Sequence, residues 1–379
     1  MFESRTSAPA GPSPRASRGR PRRGEAFART RTSAPAQPAP AGRPSGPGQA
    51  PAPGSRLSGP DYLGPEWVAT SFALSEDDGG CPPDRPDVAV LVHERDAGRL
   101  AAESKAAALY LPGFLDTFCH VGQAAAFRAL GVPLAGLDMR RCGRATRSAA
   151  SRDDLRDICV REEEIGLALD RLRELGAERI VLIGHSTGGL QAALWAADHP
   201  GTVDAVVLNS PWLDHYGSRL ERGPLTRAVD RLGARSPSTP ISWLLPRYAR
   251  SLHRDYGGEF DFDPAHKPLV VTAVRAGFLR TVRRAQARVA AGGVRIGVPL
   301  LVAHSDASGH PKLPRRRELA NRDCVLGVED MKRLAPLLSP DVEMLEVPGG
   351  RHDLALSERP ARELYTREVT AWVARTLGL

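Results

Sequence analysis

Residues 184–188 read GHSTG, a G-x-S-x-G pattern that could present Ser186 as a nucleophile. The apolar run 180–183 precedes it, and a segment rich in alanine and leucine follows it. That context predicts a buried strand, a tight turn and a helix, with Ser186 at the turn. The two glycines fit such a turn, because strand and helix must approach closely on either side of the serine. We therefore expect an exposed, reactive hydroxyl near the start of a helix.

A serine hydroxyl needs a base to take its proton, and the base needs an acid to orient it. After a strand–turn–helix nucleophile, the acid and then the histidine follow along the chain. Seven histidines follow Ser186, but only His352 lies beyond the last predicted strand, in the glycine-containing loop 349–353. His199 falls at a predicted helix end and His304 at a strand end. We predict that His352 is the base.

Two residues compete for the role of the acid. Asp306 directly follows the predicted strand 299–303, whereas Asp323 comes later and is followed by Val325 and Leu326. Aliphatic residues at those two offsets are typical of a loop that anchors the triad acid. Asp323 also precedes His352 by enough residues for one helix and one strand. The pattern favours Asp323, and Asp306 stays as its rival.

Acyl transfer also needs amide donors for the negatively charged oxygen of its transition state. One is expected to be the amide of Thr187, directly after the nucleophile. The loop that follows the predicted strand 107–111 should supply the other. Gly113 allows the chain to turn there, so that the Phe114 amide can face the site. We predict Thr187 and Phe114 as the oxyanion donors.

Short apolar runs alternate with helical patterns from about residue 62 onward. This alternation predicts an α/β fold class, a mostly parallel sheet with helices on both faces. The stretch 211–297 breaks the alternation, and we interpret it as a mainly helical cap over the carboxyl edge of the sheet. The expected strands are 88–92, 107–111, 134–139, 180–183, 205–208, 300–303 and 344–347, and the expected helices are 121–130, 159–175, 190–197 and 328–338.

The first 58 residues differ from the rest in composition. They are rich in Pro, Ala, Gly, Ser and Arg, which predicts a disordered tail before a folded domain at 59–379. Residues 1–56 carry ten arginines and two glutamates, which accounts for the whole formal charge of +8. The folded part is thus neutral, which argues against a nucleic-acid partner. The five cysteines have no C-x-x-C spacing, and we expect reduced thiols and a cytoplasmic location. We also expect no transmembrane segment, because no apolar run approaches the roughly 20 residues that span a bilayer.

Together these motifs resemble the α/β-hydrolase superfamily, in its monoacylglycerol lipase, lysophospholipase and serine-aminopeptidase-like branch. The resemblance covers roughly residues 62–379. It implies a Ser-His-Asp triad, a helical cap, no metal and no organic cofactor. One departure is Pro112-Gly113, where the family usually has His-Gly. The motifs that carry the resemblance are LYLPGFL (109–115), LDMRRCG (137–143), IGHSTGGL (183–190), SPWL (210–213), SLHRDYGGEFDF (251–262) and GGRHD (349–353).

The resulting hypothesis is a soluble serine hydrolase that cleaves small-molecule carboxylic esters such as monoacylglycerols, lysophospholipids or short-chain esters. The apolar cap residues Trp212, Trp243, Leu244 and Leu245 could line an acyl pocket or could equally be core. One alternative is an aminopeptidase, for which Asp255, Glu259, Asp261 and Asp263 could hold a substrate ammonium. Another is a non-catalytic binding protein on the same fold, and a third is a nucleic-acid role for the tail. The pattern does not indicate an oligomeric state.

Overall fold

The apolar runs form one nine-stranded sheet in a computed structural model that describes residues 52–77, 86–215, 224–311 and 313–379. Most of the predicted tail, residues 1–51, lies outside this description. The sheet order is β1-β2-β3-β5-β4-β6-β7-β10-β11. Its strands are β1 Arg56–Asp61, β2 Gly64–Ala73, β3 Val88–Glu94, β4 Ala106–Leu111, β5 Leu134–Asp138, β6 Arg179–His185, β7 Ala205–Asn209, β10 Leu300–Ser305 and β11 Glu343–Val347.

The six strands from β5 to β11 in this order run parallel, as the alternation of strands and helices predicts. The first three strands pair antiparallel and extend the sheet at one edge. In a parallel array, ligands bind beyond the carboxyl ends of the strands. A ligand-binding or catalytic site is therefore expected at the carboxyl ends of β4, β6, β10 and β11.

Helices cover both faces of the sheet. Alternate side chains of β6 enter two separate hydrophobic clusters, Ile180 and Leu182 in one and Val181 and Ile183 in the other. No helix of the described residues is both long and apolar enough to cross a bilayer. The helices are α1 Ala97–Ser104, α2 Val121–Ala129, α3 Glu162–Glu174, α4 Thr187–Asp198, α5 Pro224–Arg235, α6 Arg247–Leu252, α7 Ala276–Ala290, α8 Arg316–Asn321, α9 Val328–Leu338 and α10 Arg359–Leu377.

The folded region begins earlier than the composition suggests. Strand β1 starts at Arg56, inside the segment assigned to the tail. Its sequence, RLSGPD, has five exposed residues and no apolar alternation, so no periodic pattern marks it as a strand. The strand forms because it pairs along β2, from Arg56 opposite Phe72 onward. Backbone pairing, rather than side-chain burial, defines this edge.

The region between β7 and β10 contains more than helices. Strands β8 Pro240–Leu244 and β9 Thr272–Arg275 form a separate antiparallel pair, which the sequence interpretation of a mainly helical cap did not include. Phe278 and Val282 of helix α7 pack into the main core. The cap is therefore attached to the body through α7.

The glycines of the G-x-S-x-G pattern are required by close backbone approach. A Cβ atom at Gly188 would lie 2.2 Å from the carbonyl oxygen of Leu111, and one at Gly184 would lie 2.4 Å from the carbonyl oxygen of Gly188. Both clashes are with backbone atoms, which cannot rotate away. The serine turn is thus compressed between β6, α4 and the end of β4.

We expect Gly188→Ala to lower the free energy of unfolding by roughly 3 kcal/mol or more, because the new methyl group forces β4 and α4 apart. Urea unfolding followed by circular dichroism measures this change. Gly122→Ala is the matched control, since Gly122 is also helical and a Cβ there meets nothing within 4 Å. The control should stay within about 1 kcal/mol of wild type. Equal stabilities of the two variants would contradict the steric account.

Candidate active site

Ser186 occupies a strained turn at the carboxyl end of β6. Its φ and ψ are 54° and −115°, a conformation that costs a non-glycine residue on the order of 1–3 kcal/mol. The turn is held by the Ser186 amide, which donates to the Asn209 carbonyl at 3.0 Å, and by the Trp212 amide, which donates to the Ser186 carbonyl at 2.9 Å. Helix α4 begins at the next residue, so the hydroxyl lies near the positive end of a helix dipole.

His352 and Asp323 are in direct contact. Nδ1 of His352 lies 2.9 Å from Oδ2 of Asp323, and Asp323 is fully buried. The other carboxylate oxygen accepts hydrogen bonds from the Val325 and Leu326 amides, each at 2.8 Å. These are the two positions that made Asp323 the preferred acid. The carboxylate is therefore fixed by its own loop and directed at the imidazole.

Asp306 lies elsewhere in the same region. Its Oδ1 accepts a hydrogen bond from the Gly349 amide at 2.9 Å, and its own amide donates to the Val347 carbonyl at 3.3 Å. It thus joins the end of β10 to the loop after β11. Among the described contacts none joins Asp306 to His352, so the geometry supports Asp323 rather than its rival.

Ser186 and His352 line one cavity, and the ring centroid of His185 lies 4.8 Å from that of His352. Within the described residues, no hydrogen bond joins the Ser186 hydroxyl to the imidazole. Catalytic hydrogen bonds in unliganded enzymes are often long and tighten when substrate binds. The serine and an imidazole oriented by Asp323 thus line the same cavity.

The two predicted oxyanion donors also line this cavity. Thr187 is the first residue of α4, where an amide has no acceptor within its own helix. The Phe114 amide has no acceptor among the described residues. A Cβ atom at Gly113 would lie 3.0 Å from that of Ser186, which shows how closely this loop approaches the serine. Both amides are therefore available to a ligand.

The cavity has a volume of about 390 Å³ and is mostly apolar. The four apolar cap residues that the sequence left undecided between pocket and core all line it. Trp212 is partly buried against the core, whereas Trp243 of β8 is 62% exposed. Leu244, the last residue of β8, and the following Leu245 are also exposed. Apart from Trp212, these side chains are thus a cavity wall rather than core.

The four cap acids considered for a substrate ammonium do not line the cavity. Asp261 pairs with Arg254 at 2.8 Å and Glu259 with Arg362 at 3.0 Å, both at the surface. Asp263 accepts the Ala265 amide of its own turn. The structure therefore offers no acidic subsite from these residues.

A buried polar cluster surrounds His185, and sequence reasoning missed it. Nδ1 of His185 lies 3.3 Å from Asp116 and 3.8 Å from Asp353. Asp353 also contacts His120 at 2.8 Å and accepts a hydrogen bond from Asn209. One possible metal-ligand atom from each of Asp116, His185 and Asp353 lies within 4.8 Å of the other two, a spacing that suits a metal ion. Here, however, the ammonium of Lys267 lies 2.7 Å from Asp116 and supplies the positive charge.

In this cluster, neighbouring positive groups lower the carboxyl pKa values by more than burial raises them. Burial raises the pKa of the Asp116 carboxyl, but the Lys267 ammonium and a hydrogen bond from His185 bring that pKa below its usual range. The pKa of Asp353 is likewise held well below its usual range: burial opposes this, and His185 and His120 outweigh it. Both carboxylates are therefore ionised at neutral pH.

Asp116→Asn should destabilise the protein in a pH-dependent way. A carboxyl whose pKa is lower in the folded chain stabilises the fold above its unfolded pKa of about 3.9, and this contribution is lost as pH falls through the folded pKa. At pH 7 we expect a loss of about 3–5 kcal/mol, since the variant leaves Lys267 buried without its partner. Thermal unfolding at pH 7 and pH 3 should show a smaller difference from wild type at pH 3. An equal difference at both pH values would contradict this.

Comparison with known proteins places the chain in a family. Residues 102–359 match the model of the Hydrolase_4 family, described as serine aminopeptidase S33. The chain belongs to this family. It is also similar to a monoacylglycerol lipase of Mycolicibacterium smegmatis, with 28% identity over 264 residues that cover 68% of this chain and 83% of the relative. The resemblance predicted from the motifs is thereby confirmed.

Solved structures show the same fold at low sequence identity. A soluble variant of the Saccharomyces cerevisiae monoglyceride lipase, in complex with a substrate analogue, has a TM-score of 0.55 and 13% identity, and covers 86% of this chain and 98% of its own. A monoacylglycerol lipase of Paleococcus ferrophilus has a TM-score of 0.50 and 19% identity, with coverages of 71% and 94%. The α/β-hydrolase fold predicted from sequence is confirmed.

Proposed function

We propose that this protein hydrolyses carboxylic esters through an acyl-enzyme on Ser186. The observation that carries the proposal is a buried carboxylate, Asp323, 2.9 Å from the imidazole of His352, which shares a cavity with the strained serine. A serine, an imidazole and a carboxylate in this chain order form the general pattern of acyl-transfer catalysis. The relative's name, monoacylglycerol lipase, agrees with this chemistry.

In the proposed reaction the Ser186 oxygen attacks the ester carbonyl carbon while His352 takes the hydroxyl proton. Asp323 keeps the ring oriented and stabilises the imidazolium that forms. The Phe114 and Thr187 amides stabilise the oxyanion. The tetrahedral intermediate then breaks its bond to the alcohol oxygen, which receives the proton from His352. Water, deprotonated by His352, attacks the acyl carbon. The second tetrahedral intermediate breaks its bond to the Ser186 oxygen, which regains the proton from His352, and the acid is released.

The cavity supports an apolar acyl group as the part of the substrate that is recognised. Its wall includes Trp243, Leu244 and Leu245, and the described cap acids lie outside it. Monoacylglycerols, lysophospholipids and medium-chain esters share such a group. An N-terminal amino acid would need an unpaired carboxylate for its ammonium. The acid that lines the cavity, Asp116, already pairs with Lys267, so the geometry favours ester over aminoacyl substrates.

A series of p-nitrophenyl esters, assayed beside an aminoacyl anilide, tests the recognition of an apolar acyl group and the preference for esters. From butyrate to octanoate, kcat/KM should rise about fourfold per added methylene, because each buried CH₂ contributes about 0.8 kcal/mol. Alanine p-nitroanilide, assayed in parallel, should not be cleaved above the rate without enzyme. Faster cleavage of the anilide than of the esters would favour an aminopeptidase, and no cleavage of either would favour a binding protein.

A further inference from the structure

Three consecutive residues of the loop after β4 are each held by a different element. The Phe114 ring stacks on Phe278 of α7 with a centroid distance of 4.4 Å. The Leu115 amide donates to the Asp153 carboxylate at 2.9 Å. Asp116 pairs with Lys267 at 2.7 Å. The Phe114 amide thus lies in a short segment that is fixed from several sides.

This loop needs support from outside. Leu115 has a φ of 56°, in the left-handed region that a leucine rarely adopts, and such strain persists only when surrounding contacts over-determine it. On one side the support is Asp153, which is buried and paired with the equally buried Arg161 at 2.6 Å. Proline at 112 has neither a backbone N–H nor a polar side chain to anchor the start of the loop.

Lys267 provides the support on the other side, and it comes from the cap. It lies in the segment between α6 and β9 and is only 3% exposed. Its ammonium contacts Asp116 and lies 5.3 Å from the centroid of the Phe262 ring. Lysine is rarely buried without a specific partner. A buried ion pair also fixes geometry, because breaking it leaves an uncompensated charge.

We propose that Lys267 is a positioning residue for the reaction, which holds Asp116 and thereby sets where the Phe114 amide meets the oxyanion. The cap then contributes to transition-state stabilisation as well as to acyl binding. This inference rests on the proposed ester hydrolysis. Lys267 acts through Asp116 and the loop.

The effect expected is on the chemical step. A displacement of about 1 Å in a catalytic donor costs on the order of 10²-fold in rate. We therefore expect Lys267→Met to lower kcat on p-nitrophenyl octanoate about 10²-fold. KM should change less than threefold, because the apolar acyl wall is untouched. An alkyl trifluoromethyl ketone, which forms a tetrahedral adduct with a reactive serine, should lose affinity in proportion to kcat.

Lys267→Met leaves the buried Asp116 carboxylate without the ammonium that neutralises it, so the double variant Lys267→Met/Asp116→Asn provides a second route. The double variant removes both charges and should keep the fold, as thermal unfolding will show, but it lacks the contact that holds the loop. Its kcat should therefore also be low. The matched control is Arg254→Met, which breaks an exposed cap ion pair with Asp261 and should leave kcat unchanged.

Wild-type kcat in the folded double variant would overturn the inference. The Lys267–Asp116 pair would then only neutralise two buried charges and would not position the loop. A loss of kcat with no loss of affinity for the ketone would also overturn it. Failure of the proposed function is seen separately, in the wild-type enzyme. If the wild type does not cleave the esters, the reaction itself is wrong. If it cleaves them and the Lys267 variants match it, only the positioning role is wrong.

Discussion

Asp323→Asn is expected to lower kcat about 10⁴-fold, because a neutral amide cannot hold the imidazole in the required tautomer or stabilise its cation. Asp306→Asn should keep kcat within a few-fold of wild type, since Asp306 contacts the Gly349 amide rather than His352. Initial rates on p-nitrophenyl octanoate measure both. The two variants make the same chemical change at two acids that follow the same strand.

The comparison decides the identity of the acid. Equal losses would mean that loop structure, not orientation of the imidazole, limits the rate. A larger loss in Asp306→Asn would contradict the assignment of Asp323. Thermal unfolding separates these effects from instability, because one Asp323 oxygen also accepts two amide hydrogen bonds, which are lost if the asparagine oxygen turns toward His352 instead.

His352→Ala should lower kcat on the order of 10⁶-fold, as expected when the base of a serine–histidine pair is removed. Residues of such a unit are not additive, so Ser186→Ala/His352→Ala should be no slower than either single variant. Single-turnover kinetics with a p-nitrophenyl ester detect the acyl-enzyme that these variants fail to form. The matched control is His304→Ala, whose ring contacts the Ser305 carbonyl in β10 rather than the cavity.

An additive double variant would show that Ser186 and His352 act in separate steps. An active His352→Ala would assign the base to another group. His215 also lines the cavity and follows Ser186 in the chain, so its alanine variant identifies such a base directly.

Local patterns predicted the parts of the site that depend on backbone geometry. The pattern around Ser186 predicted a strand, a turn and a helix, and the structure shows β6, a φ of 54° and α4 in that order. The aliphatic residues after Asp323 marked the loop whose amides bind the carboxylate. Such features depend on neighbours in sequence, and so a single chain reveals them.

Features that depend on distant partners were not predicted. Lys267 and Asp116 are far apart in sequence, and a charged residue is ordinarily expected at the surface. Strand β1 has no apolar periodicity, because it forms by backbone pairing at the sheet edge. The β8–β9 pair was assigned to a helical cap. Strand β8 has mostly exposed side chains, so it too lacks a pattern of buried residues that would mark a strand. In each case tertiary contacts, not local propensity, determine the structure.

The most direct test of the central claim is covalent labelling by a fluorophosphonate probe, followed by peptide mass spectrometry. Phosphonylation requires a serine activated by a base, and the adduct resembles the tetrahedral intermediate. The wild-type protein should carry one adduct, on the peptide that contains Ser186, and Ser186→Ala should carry none. Equal labelling of the two proteins, or an adduct on a different serine, would contradict the assignment of Ser186 as the nucleophile.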